Sequence, residues 1–319
     1  ILASVACRIA SSLGPDSAAL MEAGRILGAN ALFNAVPSVP AFRVSPTAFR
    51  NSLIRQNGQL PMSVPHPHHC GERGLRMLGE SDGSHIFSCP CLGGQIYPHD
   101  EVKFVLAHLI RQSGATSTVP LAEVLVPLRS GGEWYADIQY MDQFTGQTFV
   151  IDVSIVNTDS ASEVRRGGGA TGSVDEALRR REREKRALPA ARDIIDQEGP
   201  QTCFNPFVMS SSGGFGPAAR AFLKTLYATA RRTGHWVMAS GQPQIDVTWN
   251  TLFASNYWNM RLSMACTVTS AEVVGRLLVR DFNKNLVTHS ERRQAPRDPN
   301  FSAFGWESLA VGRDGGSAV

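Results

Sequence analysis

The chain has 319 residues, of which 43% are apolar and 18% charged, with a net charge of +3. That balance excludes a disordered polymer, and a charge so near neutral excludes a uniformly basic nucleic-acid coat. No apolar run approaches the about 18 residues a membrane span requires, and the opening ILASVACRIA lacks the basic start of a secretion signal.

The first residue is Ile1 rather than Met, which reads as a piece of a longer polyprotein or an incomplete gene. Residues 1–65 form a helical connector in this reading, with helical spacing over Ala18–Leu27 and Pro46–Ile54 and a proline-broken loop between them. Such a connector is expected to pack against something upstream. Residues 66–98 are loop-rich and rich in His and Cys. Residues 99–235 carry regular patterns: a helix over Asp100–Gln112 with Val102, Val105, Leu106, Leu109 and Ile110 on one side, then strands at Thr118–Val126, Trp134–Tyr140 and Thr148–Val156. A Gly/Ser linker (Arg166–Ser173) precedes a charged helix from Val174 to about Leu188, which Pro189 is expected to kink or stop. A strand near Cys203–Met209, a glycine turn and a helix over Pro217–Arg231 complete an α-β-β-β-α-β-α order, predicting an α/β sandwich with a mixed sheet. Residues 236–282 read as a helical extension, with a helix around Trp249–Arg280, and 283–319 as a poorly ordered tail.

Six of the eight histidines lie between 66 and 108, and three of the six cysteines between 70 and 91. Zinc takes four nitrogen or sulfur ligands, commonly as two close pairs joined by a loop. His68 with Cys70, and His85 with Cys89, supply such pairs. His66, His69, Cys91 and His99 are alternates, and surface histidines beside a CPC turn are the bland reading. With little apolar sequence in 66–98, bound Zn²⁺ would supply the folding free energy of this knuckle.

Arg179, Arg180, Arg181, Arg183, Lys185 and Arg186 fall in one stretch broken only by Glu182 and Glu184. A cationic ridge of this kind grips phosphates. A solvated helix face laced with ion pairs is the alternative.

The sharpest pattern lies in the strands. Symmetric pairing of WYADIQY with FVIDVSIV about a turn at Phe144 and Thr145 sets Tyr140 opposite Phe149, Ile138 opposite Ile151 and Asp137 opposite Asp152. Two carboxylates so placed repel each other unless a cation neutralises them, and a divalent metal is the usual cation for paired oxygens. Both faces of Thr148–Val156 are largely apolar, so the strand is expected to be central, and an aspartate inside it is seldom structural. The alternative places Asp152 near a strand edge, satisfied by backbone or by arginine.

YADI, then VIDVSIV, then Glu182-x-x-Lys185 on a following helix resemble the PD-(D/E)xK nucleases. More narrowly they resemble the restriction-like endonuclease domain of site-specific non-LTR retrotransposon polyproteins. HHC…SHIFSC matches that group's Cys/His knuckle, Pro98-His99-Asp100 its first helix start, and FNPFVMSSSGGFGPAARAFL its strand, glycine turn and helix. The resemblance covers roughly 30–235. It departs at Ala136, where the motif has proline, at Pro189, where the family often has an aromatic residue, and at His68, where the knuckle usually begins with cysteine.

This resemblance implies a restriction-endonuclease-like α-β-β-β-α-β core behind a zinc knuckle. It implies a metal-dependent DNA endonuclease with Mg²⁺ or Mn²⁺ held by Asp137, Asp152 and the carbonyl of Val153. Lys185 would be the migrated catalytic lysine, since Ser154 stands at its standard position, and Glu123 is a further candidate ligand on the face of Leu121 and Leu125. Arg180, Arg181, Arg183 and Arg186 would grip double-stranded DNA. Element RNA, a reverse transcriptase domain upstream on the same polyprotein and a nuclear location are further implications. A zinc and basic nucleic-acid-binding module with a decayed centre, and a structural remnant of a polyprotein, remain the other readings.

Overall fold

A computed structural model of the chain describes residues 28–29, 31–35, 42–56, 96–128, 132–158, 174–198, 201–234 and 254–282. Within them lie helices α1 (Ala31–Asn34), α2 (Pro46–Gln56), α3 (Ile96–Gln112), α4 (Val174–Arg186), α5 (Pro189–Glu198), α6 (Pro217–Arg232) and α7 (Ala254–Phe282). The strands are β1 (Leu121–Pro127), β2 (Glu133–Met141), β3 (Thr148–Val156) and β4 (Thr202–Ser210). The predicted helix at Ala18–Leu27, the knuckle, the linker 166–173 and the tail 283–319 lie outside the described residues.

The strands form one sheet in the order β1-β2-β3-β4, antiparallel across the first two pairings and parallel between β3 and β4. The fold is α/β with a mixed sheet. A parallel neighbour needs a crossover, and the segment holding α4 and α5 supplies it. β3 is buried on both faces, as its apolar run predicts. Ile151, Val153 and Ile155 face the main core with Val102, Val105, Leu106, Leu109 and Ile110 of α3, Phe222 and Leu223 of α6 and Trp258 of α7. On the other face Val156 packs with Leu178 of α4, while Val150 packs with Ala191 and Ile194 of α5.

Two elements differ from the sequence reading. Pro189 stops α4 but also starts a further helix, α5, so the order from α3 to α6 is α-β-β-β-α-α-β-α. Proline lacks the amide that a first-turn residue has no use for, and its fixed φ suits that position. The connector is also not turned only toward something upstream. Ala31, Leu32, Phe42 and Ala48 belong to the same core as α3 and α7, and α7 packs on α1, α2 and α3. No described helix is long and apolar enough to cross a membrane.

The sheet forks. β2 stays paired with β1 from Glu133 to Gln139, but with β3 only over Ile138–Met141 against Thr148–Ile151. β3 itself remains paired with β4 along its whole length. The predicted register holds, with Ile138 opposite Ile151 and Tyr140 opposite Phe149, whose rings stack at 5.1 Å. The next residues along, Asp137 and Asp152, stand where the two strands part.

Candidate active site

Asp152 is the middle residue of β3 and is only 4% exposed, which disposes of the strand-edge alternative. Its partner is Lys185, not arginine. From the last turn of α4 the ammonium donates to Oδ1 at 2.9 Å and lies 2.8 Å from Oδ2. Both oxygens are thus covered by the one ammonium, and the side chain is almost fully buried. Burial pushes the Asp152 carboxyl up; Lys185 opposes this, and the neighbouring Asp137 carboxylate reinforces it.

Asp137 is held differently. Its Oδ2 accepts the Val153 amide at 2.7 Å and faces His99 Nε2 at 3.1 Å. The other ring nitrogen, Nδ1, faces Asp100 Oδ1 at 3.1 Å. Burial alone would raise the Asp137 carboxyl, but His99, the Val153 amide and Lys103 outweigh it and hold it below the ordinary carboxylate value. For His99 burial likewise works against charge, yet the two flanking carboxylates win and raise its pKa to about 9. An imidazole with both nitrogens against acid oxygens donates from both only as the imidazolium.

Lys103 extends the ionic chain. Its buried ammonium lies 3.1 Å from Asp100 Oδ1 and 2.8 Å from Glu123 Oε1. Glu123 sits between the pairs Ala122–Ile138 and Val124–Ala136, opposite Asp137. It does not point into an apolar interior: its side chain is 47% exposed, Leu121 and Leu125 are exposed too, and its φ is +54°. A non-glycine residue in that region costs about 1–3 kcal/mol and persists only where surrounding contacts hold it. One such contact is the Lys103 ion pair, through which the structure joins Glu123 to the site.

The arginine ridge divides. Arg181 Nε donates to Ser154 Oγ at 2.9 Å, beside Asp152, and its guanidinium also meets Glu184. Arg183 pairs with Glu176, and Arg179 with Asp175 one turn away. Arg180 is half-buried and engaged, and Arg186 is exposed. The ion-pair reading thus describes Arg179, Arg181 and Arg183. Glu182, three residues before Lys185, turns elsewhere: it is 8% exposed and accepts the Ala218 amide at 2.8 Å. Gly216 begins α6 with no side-chain cap of its own, so Glu182 caps that helix from α4.

The sequence reading missed His99 as a partner of Asp137, and Lys103 altogether. The one available signal was the His99-Asp100-x-x-Lys103 spacing, which sets three charged groups on the first turns of α3. The knuckle residues His68, Cys70, His85 and Cys89 lie outside the described residues. Of their alternates, His99 is committed to Asp100 and Asp137.

Among the described residues no three His, Cys, Asp or Glu side chains converge as a ready-made metal cage. The centre instead offers two adjoining carboxylates, Asp137 and the buried Asp152. That set fits Mg²⁺, which commonly takes one or two protein carboxylates and fills its octahedron with water and substrate phosphate. No protein-family model and no curated protein matches the chain.

Proposed function

We propose that this chain is a divalent-metal-dependent DNA endonuclease of the restriction-like kind carried by non-LTR retrotransposon polyproteins. The observation that carries the reading is the forked sheet. It sets Asp137 and Asp152 on diverging strands, with Lys185 brought to Asp152 from a helix 33 residues further along. Asp137, Asp152 and the Val153 carbonyl would hold Mg²⁺ or Mn²⁺, which when bound polarises a phosphodiester and makes its water more acidic. Asp137 is oriented for this by two donors on one oxygen, His99 and the Val153 amide. Lys185 holds positive charge where charge develops on phosphate oxygens. Arg181 and the exposed Arg186 would contact flanking backbone of double-stranded DNA, with Arg180 and Arg183 as further candidates.

The remaining parts of the proposal follow from the resemblance. They are a Zn²⁺ knuckle at His68, Cys70, His85 and Cys89, a reverse transcriptase domain upstream, contact with element RNA and a nuclear location. The test is nicking of supercoiled plasmid with and without Mg²⁺ or Mn²⁺. Cleavage should need the metal and fall by at least about a hundredfold in Asp137→Ala and in Asp152→Ala. Nicking retained in both variants would sink the proposal. Metal-independent DNA binding with no cleavage by the folded protein would favour the decayed-module reading, which the closed Lys185–Asp152 pair also accommodates.

A further inference from the structure

The two buried or half-buried lysines of the site are held in different ways. Lys103 is 2% exposed at its side chain and lies between two acids, Asp100 and Glu123. Lys185 is 15% exposed at its side chain and lies against both oxygens of Asp152. Those are the oxygens that a cation shared with Asp137 would need. The ammonium stands 2.9 Å from Oδ1 and 2.8 Å from Oδ2, so its charge covers both oxygens at once.

The helix beneath Lys185 is fastened at three points. Glu182 accepts the Ala218 amide, Asp175 meets Arg220 at 2.9 Å, and Arg181 donates to Ser154. α4 is thus fixed, and any movement of the charge falls to the four-carbon stem of Lys185. An ammonium is a compact point charge with three donors that can be re-aimed without moving its helix.

We infer that Lys185 is a displaceable counter-ion. Its ammonium occupies the Asp152 carboxylate until a divalent cation takes those oxygens, and then turns to a phosphate oxygen of the DNA backbone. A dication added beside an unmoved ammonium places like charges within a few ångströms, a cost that an arriving phosphodiester removes. Cation and phosphodiester therefore strengthen each other's binding, and by linkage the coupling is reciprocal. The inference rests on the nuclease reading and adds to it an ordered dependence between metal and substrate.

The test is calorimetric titration of the full chain with Ca²⁺, whose preference for oxygen ligands avoids His/Cys sites. It is run alone and with a short DNA duplex, for wild type, Lys185→Gln and Asp152→Asn, after subtraction of binding to the duplex itself. Wild type should bind Ca²⁺ weakly, and more tightly with the duplex. Lys185→Gln should bind about tenfold more tightly than wild type without DNA, the size of effect that groups touching metal ligands commonly have, and should lose most of the duplex enhancement. If wild-type binding is lost in Asp152→Asn but Lys185→Gln is no tighter, the counter-ion role is overturned and the metal site stands. If neither wild type nor Lys185→Gln binds Ca²⁺ even with the duplex, the metal site falls and the inference with it.

Discussion

Asp137 and Asp152 are chemically identical and adjoining, yet their surroundings drive them apart. Asp137 receives His99 and the Val153 amide on one oxygen, while Asp152 is more deeply buried and leans on Lys185. The His99 contacts have a consequence that needs no substrate. Its folded pKa of about 9 lies above the ordinary 6.5, so the stability it contributes is fully present below about pH 6.5 and is lost as pH rises through about 9. The melting temperature of wild type should fall across that window, and His99→Gln should flatten the fall. An equal fall in both proteins would show that His99 contributes none of it. The register up to Ile138 and Ile151, which leaves the two aspartates as the next residue on each strand, was legible because a symmetric turn fixes antiparallel pairing. The hold of His99 on Asp137 was not, since it joins residues 38 positions apart through a helix–strand contact that no local pattern encodes.

Between elements, the fastening of α4 to α6 is the contact that sets the reach of Lys185. Glu182→Ala removes a side-chain cap at the start of α6 and should cost about 1–2 kcal/mol in urea denaturation, while Glu182→Gln keeps an acceptor and should cost far less. Equal losses would mean that the charge, not the cap, matters. Gly213 tests the next junction. It has φ +90°, and an added Cβ would lie 2.9 Å from the Ser263 carbonyl oxygen and 2.7 Å from Thr267 Oγ1 of α7. Gly213→Ala should therefore destabilise by about 3 kcal/mol, combining left-handed backbone strain with overpacking. The strands and five of the described helices (α2, α3, α4, α6 and α7) were legible from periodicity. α5 was not, because proline carries the same letter whether it ends one helix or begins another, and only the burial of Ala191 and Ile194 against Phe204 decides.

At the scale of the molecule, segments far apart in sequence share one core. α7 packs on α3, and Trp258 is fully buried in the core they share, against the ring of Tyr227 from α6. The helical pattern of 236–282 announced a helix but not its seat, because an apolar face states that it will be covered and not by what. Trp258→Ala should cost about 3–5 kcal/mol, enough to unfold a marginal domain, and should abolish nicking through loss of fold. Circular dichroism on the same samples separates that outcome from an inactive but folded protein.

The hairpin joining β2 to β3 closes through Asp142, whose carboxylate accepts the amides of Phe144 and Thr145 at 2.9 Å, with Gly146 at φ +68° finishing the turn. Nothing in that turn does chemistry, yet it works as a ruler: the meeting of Asp137 with Asp152 is a matter of counting residues around it. One residue gained or lost there would send one acid to the opposite face of the sheet while leaving every acidic side chain in the sequence intact. A survey for missing carboxylates would pass such a chain as active, so the length of the turn is as much a part of the centre as the acids themselves.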